Sequence, residues 1–401
     1  MADPLMTTVA DCLDRVAVGA APKLTTDRYR SKGTYPIIDQ GQAFIAGWTD
    51  DDRGLISDVL PLIVFGDHTR AFKYVDFPFV RGADGTQLLK PKAGIDPRYF
   101  YYACRAIPLP SRGYNRHFKQ LKESTLELPG FDEQVLIGRC LNTVDNGIDA
   151  EVVILDRLDA LKRAAMRELF ARGLRGEAQK ESEIGSVPES WEIKTLLELC
   201  TISSGGTPRK SVAEYWNGDL PWVSGKDLKK PTLDDAIDHI SAEGAAAGSK
   251  IAPADAVLIL VRGMGLAKDL PVARISRPMA FNQDLKALIS KGEVTGAFLR
   301  SAIYNRKDAL LSRIVPSAHG TMTLNLDDLE SFKIGCPTDP DEISGITATL
   351  DAIDAKMDLH KRKRTLLEKL FRSLLHKLVT GEIRIADLDL TALEANQRVA
   401  A

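Results

Sequence analysis

Apolar residues recur at alternating steps of four and three along two stretches of the chain. The first runs through Ile137, Leu141, Val144, Ile148, Glu151, Leu155, Leu158, Lys162, Ala165 and Leu169. The second runs through Ile346, Leu350, Ile353, Met357, His360, Arg364, Leu367, Phe371, Leu374 and Leu378. A period of 3.5 flanked by Asp, Glu, Lys and Arg predicts long helices that pair by inserting knobs into holes. At 1.5 Å per residue, ~33 residues make a rod of roughly 50 Å. Two such stripes in one chain satisfy each other most simply as an antiparallel intramolecular coiled coil. Its expected interface is Leu141, Val144, Ile148, Leu155, Leu158 and Leu169 against Leu350, Ile353, Met357, Leu367, Phe371, Leu374 and Leu378. The alternative is that each stripe packs on its own globular neighbour. The charged intrusions (Glu151, Lys162, His360, Arg364) either fix register or lay their stems along the seam.

Between the stripes the pattern is mixed. The runs at 60–65 and 256–261 have strand length and end at Gly66-Asp67 and Arg262-Gly263, whereas aromatics in 98–105 and 296–304 have helical spacing. The fold class read from this is mixed α and β (α+β) globular segments, two per chain, joined by two long helices. Pro129, Pro188 and Pro337 punctuate the junctions, where proline is expected just outside a helix.

The chain is also written twice. Residues 141–175 align without a gap on 350–384, so that Asp145, Ile148 and Leu158 meet Asp354, Met357 and Leu367. Upstream, Leu121, Leu126 and Pro129 meet Leu329, Ile334 and Pro337. Gly19-x-x-Pro22 followed by Gly33-x-x-Pro36 is echoed by Gly205-x-x-Pro208 followed by Gly218-x-x-Pro221. The organisation is therefore segment 1–130, helix 131–178, segment 179–337, helix 338–385 and a tail 386–401.

Composition narrows the function. The 401 residues are 44% hydrophobic and 27% charged, which excludes a disordered or fibrous chain. No apolar run reaches the ~20 residues that span a bilayer. The opening Met1-Ala-Asp-Pro has no apolar signal region, and five scattered cysteines form no C-x-x-C pair, so a reducing cytoplasm is the expected location and a membrane partner is not. With 53 basic and 55 acidic side chains the net charge is −2, so any polyanion-binding face must be local. Arg105, Arg112, Arg116, Lys119 and Lys122 follow one another with no acid between them.

Catalytic signatures are missing. There is no G-x-x-x-x-G-K-[ST] loop, no Pro-Pro dipeptide of the amino-methylating kind, no G-x-G-x-x-G and no H-E-x-x-H. A nuclease-like Asp341, Asp354 and Lys356 falls on a predicted helix, where two-metal carboxylates at strand ends are not expected. No catalytic or metal-ligating residue is expected. A duplicated, non-catalytic chain on a stiff rod suits double-stranded DNA, whose major-groove faces repeat every ~34–36 Å. The expected contacts in the first segment are Arg70 and Lys73 at the Gly66–Arg70 turn, Lys90 and Lys92, and Arg112, Asn115, Arg116 and Lys119 in the basic, aromatic stretch 111–119. In the second they are Lys226, Lys229, Arg262, the amide readers Asn282 and Gln283, and His319 and Thr321.

The chain resembles the DNA-specificity subunit of type I restriction-modification systems. The carriers are ARGLRGE (171–177) running into EIGSVPESWE (183–192), LLEKLF (366–371) to VTGEIRI (379–385), and Gly-Gly-Thr-Pro (205–208) to Leu-Pro-Trp-Val (220–223). TYPIIDQGQ (34–42), VFGDHTR (64–70), DFPFVRGADG (76–85) and YNRHFK (114–119) are similar to the family's target-recognition domains. The resemblance covers essentially the whole chain. It implies a subunit that reads a bipartite, asymmetric DNA site, docks two methyltransferase subunits on its helices and joins restriction/translocase subunits. S-adenosylmethionine, ATP and Mg would then belong to those partners, with no cofactor in this chain. Similar chains serve type II systems with separate methylating and specificity subunits. A divergent DNA-acting enzyme and a protein-binding scaffold are the readings from other classes.

Overall fold

The computed structural model describes residues 5–16, 23–110, 116–317 and 320–389. They form two compact units, one of 1–153 with 361–401 and one of 154–360. Each unit therefore takes one globular segment and half of each long helix, which differs from the consecutive segments expected above. The reason lies in where the helices bury their stripes.

In the first unit the strand Leu5–Thr8 pairs antiparallel with Thr125–Leu128. Thr8 caps the single helical turn that follows by accepting from the Asp11 amide. An antiparallel sheet then runs in the order 13–14, 86–91, 62–66, 72–75. The strand Leu62–Gly66 is buried throughout, and alternation explains its unbroken apolar sequence. Ile63 and Phe65 face one core with Leu89, Tyr99 and Phe100, while Leu62 and Val64 face a second with Ile38, Val75 and Phe79. A smaller mixed sheet, 47–49, 35–38, 79–81, 55–56, pairs 35–38 parallel with 79–81.

Helix α1 (Pro97–Ala106) starts where the Asp96 carboxylate accepts from the amides of Arg98 and Tyr99 at 3.1 and 2.8 Å, with proline in the first turn. Its buried Tyr99, Phe100 and Tyr102 share one core with Ile137, Leu141 and Val144 of α2 (Phe131–Arg172).

The second unit repeats this plan. Strand Glu192–Thr195 pairs with Lys333–Cys336, and Thr195 with Glu198 forms a capping box on the turn that follows. The larger sheet runs 200–204, 285–290, 257–260, 272–275, 232–233. The smaller runs 238–240, 220–223, 279–281, 250–252, again with a parallel pair, 220–223 with 279–281. Helix α3 (Gly296–Asn305), capped by Thr295, stands where α1 stands in the first repeat. Its Phe298, Leu299 and Ala302 join Met166 and Phe170 of α2 and Ile346 and Leu350 of α4 (Pro340–Val379) in one core.

The long helices are antiparallel within each unit. In the first, Gly147 faces Leu367 and Glu151 meets Lys363 at 2.7 Å. In the second, Lys162 pairs with Asp354, and the Leu174 amide donates to Glu342 at 2.8 Å. Positions rise along α2 as they fall along α4. Every heptad residue named above is buried or half-buried. Both packing alternatives are realised, because the outer turns enter the domain cores and the inner turns pack on each other. Of the charged intrusions, Glu151 is only 2% exposed and ion-paired, and Lys162 is paired across the helices, which supports the register role.

This packing separates two leucines of the same helix pair. Leu158 is 8% exposed and Leu366 is 65% exposed. Leu158→Asp buries an uncompensated carboxylate and is expected to destabilise the full chain by roughly 3–5 kcal/mol, whereas Leu366→Asp should stay within about 0.5 kcal/mol. Denaturant midpoints check this, and equal losses at the two sites would contradict the seam.

Candidate nucleic-acid interface

In the first unit, four chain segments that are far apart in sequence close onto one end of the sheets, and Asp67 ties them. This buried residue follows the strand Leu62–Gly66. Its carboxylate accepts from the Phe118 amide at 2.7 Å, its carbonyl accepts from the His117 amide at 3.0 Å, and its own amide donates to the Gly85 carbonyl at 2.8 Å. The Gln40 side chain bridges the remaining loops, donating to the Asp84 carbonyl at 2.7 Å and accepting from the His68 amide at 3.3 Å. Glycine is required at two points of this crossing. A Cβ at Gly66 would lie 2.1 Å from Thr69 Oγ1 and 2.6 Å from the Gln40 carbonyl, and Gly85 has φ of +83°. The loops around 40, 67, 84 and 117 thus form one platform.

Arg70, Arg116 and Lys119 are exposed on or beside this platform. Arg70 adopts φ of 61° and donates to the Leu109 carbonyl at 2.8 Å. With Phe44, Phe72, Tyr101 and Arg105 it lines a cavity of about 490 Å³. Arg112 and Asn115 lie outside the described residues, as does the Gly19–Pro22 motif.

Lys73 is a correction. It is 3% exposed, and its ammonium donates to the carbonyls of Asp39 at 2.8 Å and Ala43 at 2.6 Å, with the Asp39 carboxylate 3.7 Å away. Burial lowers its pKa and the nearby carboxylate partly restores it. It anchors the 39–43 loop from below and does not reach solvent. Lys90 and the exposed Lys92 lie away from this platform. Thr86 pairs with Gly66 at the platform end, while Lys90 pairs with Asp14 four residues further along the strand, ~13 Å away. His117 is buried, with Nδ1 3.0 Å from the Asp67 carbonyl.

The second unit builds the corresponding platform from different side chains. Asp227 is buried and accepts from the amides of Ser224 and Ile237 at 2.8 and 3.0 Å, shaping the loop that exposes Lys226, Lys229 and Lys230. Lys226 pairs with Asp238 at 2.7 Å. Exposed Arg262 lies opposite Thr323, beside the half-buried Thr321, and the Val261 amide donates to the Asp284 carbonyl at 2.9 Å. Asn282 is a correction to the expected amide readers. It is buried, accepts from the Asp284 amide at 3.2 Å and donates to its carboxylate at 3.3 Å, so it shapes the loop from within. Gln283 beside it is exposed and accepts from the Thr207 hydroxyl at 2.5 Å. His319 lies outside the described residues.

Sequence reasoning missed the loop organisers Asp67, Gln40, Asp227 and Asp284. The available signal was an aspartate directly after a strand, as at Asp67, or directly before one, as at Asp284, which favours turn-closing hydrogen bonds. The nuclease-like set is dispersed by the structure, with Asp354 bound to Lys162 and Arg300. Among the described residues no group of three or more His, Cys, Asp or Glu is placed to hold a metal ion, and no helix is long and apolar enough to cross a membrane.

A repeated two-sheet domain set on shared antiparallel helices defines the class of protein. The same fold is found in the type I restriction-modification S subunit from M. genitalium, with a TM-score of 0.68 at 16% identity over 94% of this chain and 96% of that one. It is found again in a structure describing complex assembly and conformational transition of the type I R-M system, with a TM-score of 0.51 at 15% identity over 95% and 98% of the two chains. Residues 188–369 match the family model of the type I restriction modification DNA specificity domain. The specificity subunit of the type I restriction enzyme EcoR124I/EcoR124II of Escherichia coli is 29% identical over 338 residues, 81% of each chain. The MjaIX specificity subunit of Methanocaldococcus jannaschii is 28% identical over 218 residues, 50% of this chain and 47% of that one. Over most of its length the chain is similar to type I restriction-modification DNA specificity subunits.

The platform separates two cations that sequence places together. Arg116→Ala is expected to weaken DNA binding by about 1–3 kcal/mol with the melting temperature unchanged. Lys73→Ala should lower the melting temperature, because two buried carbonyls lose their donor. Paired melting and gel-shift measurements check both, and unchanged affinity for Arg116→Ala would remove it from the interface.

Proposed function

We propose that the chain is the non-catalytic reader of a bipartite, asymmetric DNA site, each platform taking one half-site. The observation that carries this is the duplication of the platform with different contents. The loops occupy equivalent places on the two sheets, but one presents Arg70, Arg116 and Lys119 and the other Lys226, Lys229, Arg262 and Gln283. Two readers of one architecture and unlike side chains favour two unlike half-sites. Cations supply salt-dependent affinity through phosphate, and exposed amides and guanidinium groups supply base choice.

The helix pair sets the spacing and docks two methyltransferase subunits, with restriction/translocase subunits joining that core. Apolar side chains left outside the seams support docking. In the first unit they are Val152, Val153, Leu366 and Leu370, and in the second Leu161 and Leu359. Catalysis, with S-adenosylmethionine, ATP and Mg, belongs to the partner subunits. The complex works in the cytoplasm, and five buried, unpaired cysteines suit that compartment.

Mapping methylated adenines in the host genome, with and without this gene, tests the reading. The expected result is one split motif with unlike halves and a fixed spacer, lost on deletion. A contiguous motif, or methylation by the purified chain alone, would overturn it.

A further inference from the structure

Both repeats carry an arginine from the recognition-domain helix to an aspartate on a long helix, and they do so with different sequences. In the first, Arg105 near the end of α1 places Nη1 2.5 Å from Asp145 Oδ2 and donates to the Tyr101 hydroxyl at 3.0 Å. Its guanidinium carbon lies 5.1 Å from the Tyr101 ring centre and 5.0 Å from that of Phe371. In the second, Arg300 in the middle of α3 reaches Asp354 at 3.5 Å and lies 5.3 Å from the Tyr304 ring centre, and Lys162 holds the other carboxylate oxygen.

Asp145 and Asp354 are equivalent in the repeat, and so are α1 and α3, each starting at a side-chain cap. Aligned from those starts, Tyr101 stands where Arg300 does, and Arg105 where Tyr304 does. Arginine and tyrosine have exchanged places one helical turn apart, and the position of Lys162 is taken by Phe371 in the other copy. Three of the four side chains differ, yet the contact from arginine to the long-helix aspartate survives. Apolar packing alone does not require that, because it is non-directional and tolerates sliding and rotation. A charged, geometrically fixed pair selects one setting. That setting matters at the DNA end, since a rotation of about 0.1 radian over a strand of roughly 20 Å moves the loops by ~2 Å, well beyond hydrogen-bond tolerance.

We infer that Arg105 with Asp145, and Arg300 with Asp354 and Lys162, are positioning residues that lock each recognition domain in one rotational setting on its helix pair and so fix which half-site spacing is accepted. This rests on the bipartite reading above.

The test replaces each ion pair by apolar side chains of similar size, which commonly leaves stability intact. The variants are Arg300→Met with Asp354→Leu and Lys162→Met, and Arg105→Met with Asp145→Leu, the latter in a site already lined by Tyr101, Tyr102 and Phe371. The complex, purified from its own cells through a tag on this chain, selects from a library of random DNA duplexes, and the bound pool is sequenced. The unaltered complex must return one split motif with one spacer; if it does not, the bipartite reading fails. If it does, folded variants should keep both half-site sequences but lose discrimination against spacers one base pair longer or shorter by about tenfold or more. Folded variants that keep the original spacer preference overturn the inference. Failure of both variants to fold overturns it too, because the pairs would then be structural.

Discussion

The constraint on which each unit depends is that the outer turns of the long helices serve as core for the recognition domains. Ile137, Leu141, Val144, Phe371 and Leu378 share one cluster with Phe65, Tyr99 and Phe100, as Met166, Phe170, Ile346 and Leu350 do with Trp191, Phe298 and Phe332. A helix held this way cannot separate from its domain without opening an apolar core, where each large side chain lost costs ~2–5 kcal/mol. The reading loops are therefore referenced to the helices through close packing. Jointed domains on flexible linkers would have no such reference.

Polar groups add direction to that packing. Apolar contact fixes distance, while Glu151 with Lys363, Lys162 with Asp354 and Arg105 with Asp145 fix register. The platforms follow the same division of labour. Buried Asp67, Lys73, Asp227 and Asn282 spend their polar atoms on the surrounding loops and shape them, and Arg70, Arg116, Lys229, Arg262 and Gln283 stay exposed.

The sequence made the scaffold legible. The 3.5 period located both helices and their inward residues, since a heptad seam repeats for ten positions and tolerates few exceptions. The duplication was legible because helices and strand ends recur at nearly constant offsets. The site was less legible. Composition cannot tell Lys73, turned inward onto two carbonyls, from Arg116, turned outward, because both lie near glycine in basic, aromatic surroundings. Asn282 misled in the same way, as its amide closes its own loop. Nor could the units be seen to cut across the helices, because a heptad leucine that packs on a partner helix and one that packs in a domain core occupy the same register.

Native-state hydrogen exchange on the full chain tests the central claim most directly. If the outer helix turns are domain core, amides of 137–144 and 371–378 should open with the same free energy as those of the strand 62–66, in one cooperative step. Protection of those turns that is lost separately, while the strand stays closed, would contradict the account.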